Sequence, residues 1–356
     1  MRKKIIVLLL IAIVIYIVYI NNYNSIKKND NIELVIKNQW ALMNNGQSIK
    51  GVLGQIGCDI NATEAWKITK GNEKVIVGIL DTGIDISNSK ISKNIFINKN
   101  EIPNNRKDDD GNGCVDDVNG WDFYNNDNSV YDDSLSDYHG TLVASIIAAS
   151  HDNGEVWGIA PGVTILPLKF MRGSSGSIDD AIKAIKYAYS MGARIINCSW
   201  DDTAYNNELY NVMKRYKDIL FICSSGKTQN NLKELPVFPA CFDLENVVCT
   251  GAVDNNGQKY ELSGYGIDKE VFAPGKDILS ILPEGDATYV SGTSYSTAYV
   301  TGIAALVKSY NINISAEDLG KILRRSKKFT KAVSDQANFV EIIDAKLCLK
   351  YLLENH

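Results

Sequence analysis

The stretch Val75-Ile76-Val77-Gly78-Ile79-Leu80 has no polar side chain on either of its alternating faces and ends directly on Asp81. A run of this kind reads as a strand covered on both sides. The same signal recurs at Thr164-Ile165-Leu166, Arg194 to Cys198, Ile219 to Ser224 and Asn246 to Cys249. Between these runs lie helical patterns over Leu142 to Ala149, Ile178 to Met191 and Asn207 to Lys217, and an apolar helix follows from about Ser294 to Ser309. Strands apolar on both faces and separated by helices predict an α/β fold, a mainly parallel central sheet with helices on both faces. The simplest division of the 356 residues is one large domain over 61–356, a polar, Asn-rich stalk and lead-in over 23–60, and an N-terminal segment over 1–22.

That N-terminal segment has three bases in its first four residues and then 16 uncharged apolar residues, Ile5 to Ile20. As a helix the run spans roughly 24 Å, short for a membrane span and long for a signal-peptide core. No small-x-small cleavage site follows it, and Lys3 and Lys4 favour retention of the N-terminus inside. The expectation is an uncleaved single-pass anchor with a cytoplasmic N-terminus and an extracytoplasmic domain, the alternative being secretion after cleavage. Seven cysteines would then meet an oxidising compartment. Their number is odd, and only Cys241 with Cys249 offers a local disulfide.

Charge narrows the partners. With 42 acids against 37 bases the net charge is -5, without the basic excess of a nucleic-acid binder. The distribution is uneven: Glu101 to Asp137 holds 11 acids and 2 bases. Within it Asp108-Asp109-Asp110-Gly111-Asn112-Gly113 sets oxygen side chains at alternate positions before a glycine, like the first half of an EF-hand loop. Asp108, Asp110 and Asn112, the Cys114 carbonyl and Asp116 or Asp117 are the expected ligands of a structural Ca²⁺. Asn119 stands where an EF-hand has its closing Glu, so the site is not a true EF-hand, and a metal-free turn is the alternative.

Three polar residues occupy positions suited to chemistry. Asp81 sits at the carboxyl end of a buried strand, where ligands gather in open α/β sheets. His139, in His139-Gly140-Thr141, is the favoured imidazole base among three histidines. Ser294 stands where a long apolar helix begins, beside free N–H groups that favour developing negative charge. Taken singly, each could be a cap or a structural residue.

Together, Asp81 in Asp-Thr-Gly, His139 in His-Gly-Thr and Ser294 in Gly-Thr-Ser resemble the subtilisin-like serine proteases, the subtilases, in motif and in chain order. The resemblance extends to Gln39-Trp40-Ala41-Leu42, Gly158-Ile159-Ala160-Pro161 and Ile195 to Trp200, and covers roughly 38–350. It implies a subtilisin-like fold and a serine endopeptidase acting on peptide or protein substrates. In that mechanism His139 takes the Ser294 proton, Asp81 steadies the imidazolium, and an acyl-enzyme forms. The family's oxyanion Asn follows a Ser/Ala-Gly pair, but Ser224-Ser225-Gly226-Lys227 puts Lys227 there. Ser199, Trp200, Asp201 and Gly226 fall on the expected substrate-binding segments. Asp201-Asp202 replaces two usual glycines and raises the expectation of a basic residue before the scissile bond. A catalytically impaired binding or regulatory protein is the competing reading, resting on Lys227.

Overall fold

The computed structural model describes residues 35, 37–152, 154–328 and 340–355. The anchor expected over 1–22 and the first part of the stalk lie outside these. No helix among the described residues is long and apolar enough to cross a membrane.

The expected sheet is present. Its order is Lys327–Lys328, Ile342–Ile343, Glu270–Pro274, Val247–Val253, Leu220–Ser224, Ile195–Cys198, Ile76–Asp81, Thr164–Lys169 and Trp121–Asp122. All pairings are parallel except that of the Lys327–Lys328 edge. From Ile76–Asp81 the chain first builds outward through Trp121–Asp122 and Thr164–Lys169, then crosses to Ile195–Cys198 on the other side. The strand ending in Asp81 is therefore the switch point, beyond whose carboxyl end such sheets bind ligands.

Alternate side chains feed two cores. Val77, Ile79, Ile195, Leu220, Ile222 and Val248 pack with Val300, Ile303, Ala304 and Val307 of the helix Thr293–Tyr310. Leu80, Leu166, Leu168, Ile196 and Phe221 pack with Ile182 and Ile185 of the helix Ile178–Ser190 and with Leu209 and Met213 of the helix Asn207–Arg215. Each fully buried aliphatic side chain contributes roughly 1.5–3 kcal/mol, so strands apolar on both faces are what such a layer requires. The outer helices start where capping chemistry allows: Ser177 Oγ accepts from the Asp180 N–H and Asn206 Oδ1 from the Leu209 N–H.

The strand Glu270–Pro274 and the helices Ala316–Arg325 and Ala345–Asn355 were not among the elements expected from sequence. The one local disulfide that the sequence offered, Cys241 with Cys249, is not formed. Cys198, Cys223 and Cys249 stand side by side on neighbouring parallel strands, and all seven cysteines are free. Cys249 is held in the sheet opposite Cys223, while Cys241 lies half-buried outside the strands, so the two are not brought together as a bridge.

Candidate active site

Asp81 is the last residue of its strand, and its side chain is almost wholly buried. The helix Tyr138–Ala148, buried from Gly140 to its end, brings His139 over it. His139 Nδ1 lies 2.8 Å from Asp81 Oδ1 and 3.0 Å from Oδ2. A carboxylate only accepts, so Nδ1 carries the proton and Nε2 is left as the basic nitrogen. The approach depends on Gly140, because a Cβ there would lie 2.1 Å from the Gly83 carbonyl oxygen. Burial of the imidazole pulls its pKa down, but the charge and hydrogen bond of Asp81 outweigh this and hold it above the ordinary histidine value. Lys227 opposes part of that rise.

Ser294 is the second residue of the helix Thr293–Tyr310, whose start is bolted to the strand ends. Ser294 Oγ donates to the Ser199 carbonyl at 3.0 Å, and Ser199 Oγ donates to the Ser294 carbonyl at 2.9 Å. Thr293 Oγ1 lies 2.7 Å from Ser224 Oγ, and Thr301 Oγ1 donates to Asn197 at 2.9 Å. The segments 199–201 and 224–227 thus flank the nucleophile candidate. In this rotamer Ser294 faces Ser199 rather than His139. The Tyr295 ring packs against the imidazole with centroids 5.8 Å apart.

The other sequence-derived positions divide. Lys227 is exposed, and its Cε lies 3.2 Å from where a Cβ on Gly292 would stand, two residues before Ser294. Gly226 has a left-handed backbone (φ 78°), and a Cβ there would lie 3.0 Å from Asp201 Oδ2. Asp201 is exposed as a residue, yet its carboxylate leans over Gly226. That shelter raises its pKa, and Lys227 draws it back. Asp202 is spent locally, accepting the Ala204 N–H at 2.9 Å. The Trp200 side chain is buried, its ring packed against Phe170 with centroids 5.1 Å apart.

The acidic loop is partly reassigned. Carboxylate oxygens of Glu101, Asp110 and Asp117 converge within 4.8 Å of one another. Asn98 Nδ2 reaches Asp110 and Asp117, and Asn112 Nδ2 reaches Asp117. Asp108 is instead turned to the N–H groups of Gly111, Asn112 and Gly113, which hold its pKa down. Asp116 accepts from the N–H groups of Asn105 and Arg106. Cys114 enters through its N–H, bonded to Asn112 Oδ1. Glu101, missed from sequence, opens the acidic segment but lies outside the EF-hand spacing. Burial raises the Asp117 pKa despite its bonds to Tyr187, Asn112 and Asn98. None of the three converging carboxylates pairs with a Lys or Arg among the described residues, and such a donor set fits a hard, oxygen-seeking cation.

With this geometry established, the comparisons decide the family. Residues 72–341 match the subtilase family. The chain belongs to that family. This subtilase is 32% identical over 253 residues to the thermophilic serine proteinase of Bacillus sp. (strain AK1), covering 70% of this chain and 56% of that protein. It is 30% identical over 283 residues to the major intracellular serine protease of Bacillus subtilis (strain 168), covering 77% of this chain and 79% of that protein. Among solved structures, a protease from Pseudoalteromonas arctica PAMC 21717 superposes with a TM-score of 0.67 at 22% identity, over 82% of this chain and 94% of that one. The subtilase fold expected from sequence therefore holds.

Proposed function

We propose that this subtilase is a serine endopeptidase in which Ser294 attacks the peptide carbonyl, His139 takes and returns the proton, and Asp81 fixes the imidazole. The carrying observation is the Asp81–His139 pair at 2.8 Å, which leaves Nε2 as the basic nitrogen, with the ring of Tyr295, the residue after Ser294, 5.8 Å from the imidazole. In the reaction Ser294 leaves the Ser199 carbonyl and gives its proton to Nε2 as its oxygen bonds the substrate carbon. The oxyanion then meets the Ser294 N–H and the Lys227 ammonium. His139 passes the proton to the leaving amine, and water repeats the sequence on the acyl-enzyme. Fluorophosphonate labelling tests the reading. An adduct mapped to Ser294 in folded protein supports it; folded protein that stays unlabelled makes the chain a subtilase-like binding or regulatory protein.

Asp201, leaning over Gly226 at the flank of Ser294, favours a basic residue before the scissile bond. Peptides differing only there should be cleaved at least about tenfold better with Arg or Lys than with Leu or Phe, a discrimination within reach of one pocket contact. Asp201→Ser should level the series. Equal cleavage of all four by the unaltered enzyme sinks the assignment.

The Glu101, Asp110 and Asp117 cluster, with Asn98 and Asn112 beside it, is assigned to a structural Ca²⁺, whose charge would neutralise the facing carboxylates and pin the loop. Tyr187 carries that rigidity into the helix Ile178–Ser190 through its 2.6 Å bond to Asp117. At a hundredfold excess of Ca²⁺ over its Kd, chelation should cost about 2.7 kcal/mol of apparent stability, read as a lower Tm that added Ca²⁺ restores. An unchanged Tm overturns the site.

The apolar run Ile5 to Ile20 is assigned as a single-pass anchor holding the peptidase domain outside the cytoplasm. Protease shaving of intact cells should remove the domain. Survival of the domain under shaving, with loss only after lysis, places it inside.

A further inference from the structure

Lys169 is a fully buried charge near the site. It ends the strand Thr164–Lys169, its side chain has no exposure, and the parallel register sets it beside Asp81. Its Nζ donates to Asp122 at 2.7 Å and to Asp132, and lies 3.3 Å from Asp137. Asp122 belongs to the edge strand, Asp132 to the loop leading to the histidine, and Asp137 directly precedes the helix on which His139 is the second residue, its side chain making no capping bond to that helix. Asp137 is wholly buried. Its Oδ2 accepts the Asp132 N–H at 2.8 Å and faces Lys169, while its Oδ1 has no partner among the described residues. The residue that leads into the helix is thus fixed through one carboxylate oxygen, to the Asp132 N–H and Lys169.

The same lysine underlies the other half of the pair. A Cβ on Gly83 would meet Lys169 Cδ at 3.2 Å and Asp137 Cβ at 3.4 Å. The Asp81-Thr82-Gly83 turn and the first turn of the His139 helix therefore rest on one ammonium and its acceptors, and Thr82 Oγ1 accepts the Gly140 N–H at 3.2 Å between them. One ammonium among three carboxylates is a poor device for stability alone. Desolvating each ion costs several kcal/mol, and an apolar replacement of similar volume is often neutral or stabilising. What the arrangement does supply is a single fixed relation between two strand ends and a helix start.

We propose that Lys169 is a positioning residue that holds the His139 helix in register with Asp81. The inference rests on the endopeptidase reading for its kinetic consequence and on geometry for its spectroscopic one. Lys169→Met removes the ammonium, and Asp137→Asn removes the charge that the ammonium faces at the helix start while keeping the shape and an oxygen to accept the Asp132 N–H. The second variant carries the test if the first does not fold. Both should lower kcat by about 10²-fold, the scale of a misplacement of about 1 Å, with KM little changed. Proton NMR supplies the readout that a stability role would not move. The downfield Nδ1–H resonance of His139, assigned by its loss in His139→Ala, should shift upfield or vanish in folded variant protein. Folded variants that keep both the resonance and kcat overturn the proposal, as does a loss of rate that only tracks the unfolded fraction. Should the unaltered enzyme hydrolyse no peptide, the endopeptidase reading falls, and the resonance comparison still decides the role of Lys169.

Discussion

Ser294→Ala should remove peptide hydrolysis by on the order of 10⁶ in kcat, the scale established within this same family. His139→Ala should cost about as much, and the double variant should be little worse than either single one. The reason is that the hydroxyl and the imidazole act as one device: without a base the serine is a weak nucleophile, and without the serine the base has no proton to take. Asp81→Asn should cost less, about 10⁴, because the carboxamide leaves the ring in place while turning its tautomer. The measurement is kcat for each variant on one peptide with a basic residue before the cut, with folding checked by circular dichroism. Additive single losses would show that the groups do not act together. A Ser294→Ala enzyme retaining more than about a hundredth of the activity would move the nucleophile elsewhere.

How much of this could be read from the chain depends on the range of each interaction. Asp81, His139 and Ser294 were legible as candidates because each sits where a local pattern changes, at the end of an apolar strand or the start of a helix, and because their neighbouring glycines and threonines are part of the same short motifs. The nine-stranded sheet was legible in its centre, where strands are apolar on both faces. It was not legible at Glu270–Pro274, which opens on an acid and closes on a proline, nor at the two-residue edges, which owe their pairing to neighbours far along the chain.

The acidic loop shows the same division. Alternating oxygens at 108, 110 and 112 suggested an EF-hand order, but positive φ at Gly111 and Gly113 folds the backbone around Asp108, so that its carboxylate meets N–H groups. Glu101 takes the vacated place from outside the motif. Lys169 could be seen only as a lysine at the end of an apolar strand. Its three acids come from 47, 37 and 32 residues before it, a convergence that no local pattern encodes.

Lys227 separates a working enzyme with an altered oxyanion hole from a weakened one, and two observables respond to it in different ways. If its ammonium meets the oxyanion, Lys227→Met should lower kcat by about 10²–10³ with KM little changed, the loss known in this family for its single side-chain donor. Lys227→Asn, which restores a neutral donor, should recover most of the rate. The charge also reaches His139, whose pKa it lowers against the larger rise set by Asp81. Only the neutral imidazole can take the serine proton, so kcat/KM falls as pH drops through that pKa. Because the pKa is already raised, the acid limb should lie above the ordinary histidine value. Removing the positive charge raises it further, so both Lys227→Met and Lys227→Asn should move the limb to higher pH, while Lys227→Arg should leave it in place. Measuring kcat/KM against pH for the four enzymes tells the contributions apart. A shifted limb with unchanged kcat at its plateau means that Lys227 tunes the base without touching the oxyanion. A fallen plateau with no shift means that the ammonium acts on the oxyanion alone. If Lys227→Met alters neither, the side chain points into solvent and the Ser294 N–H carries the oxyanion by itself.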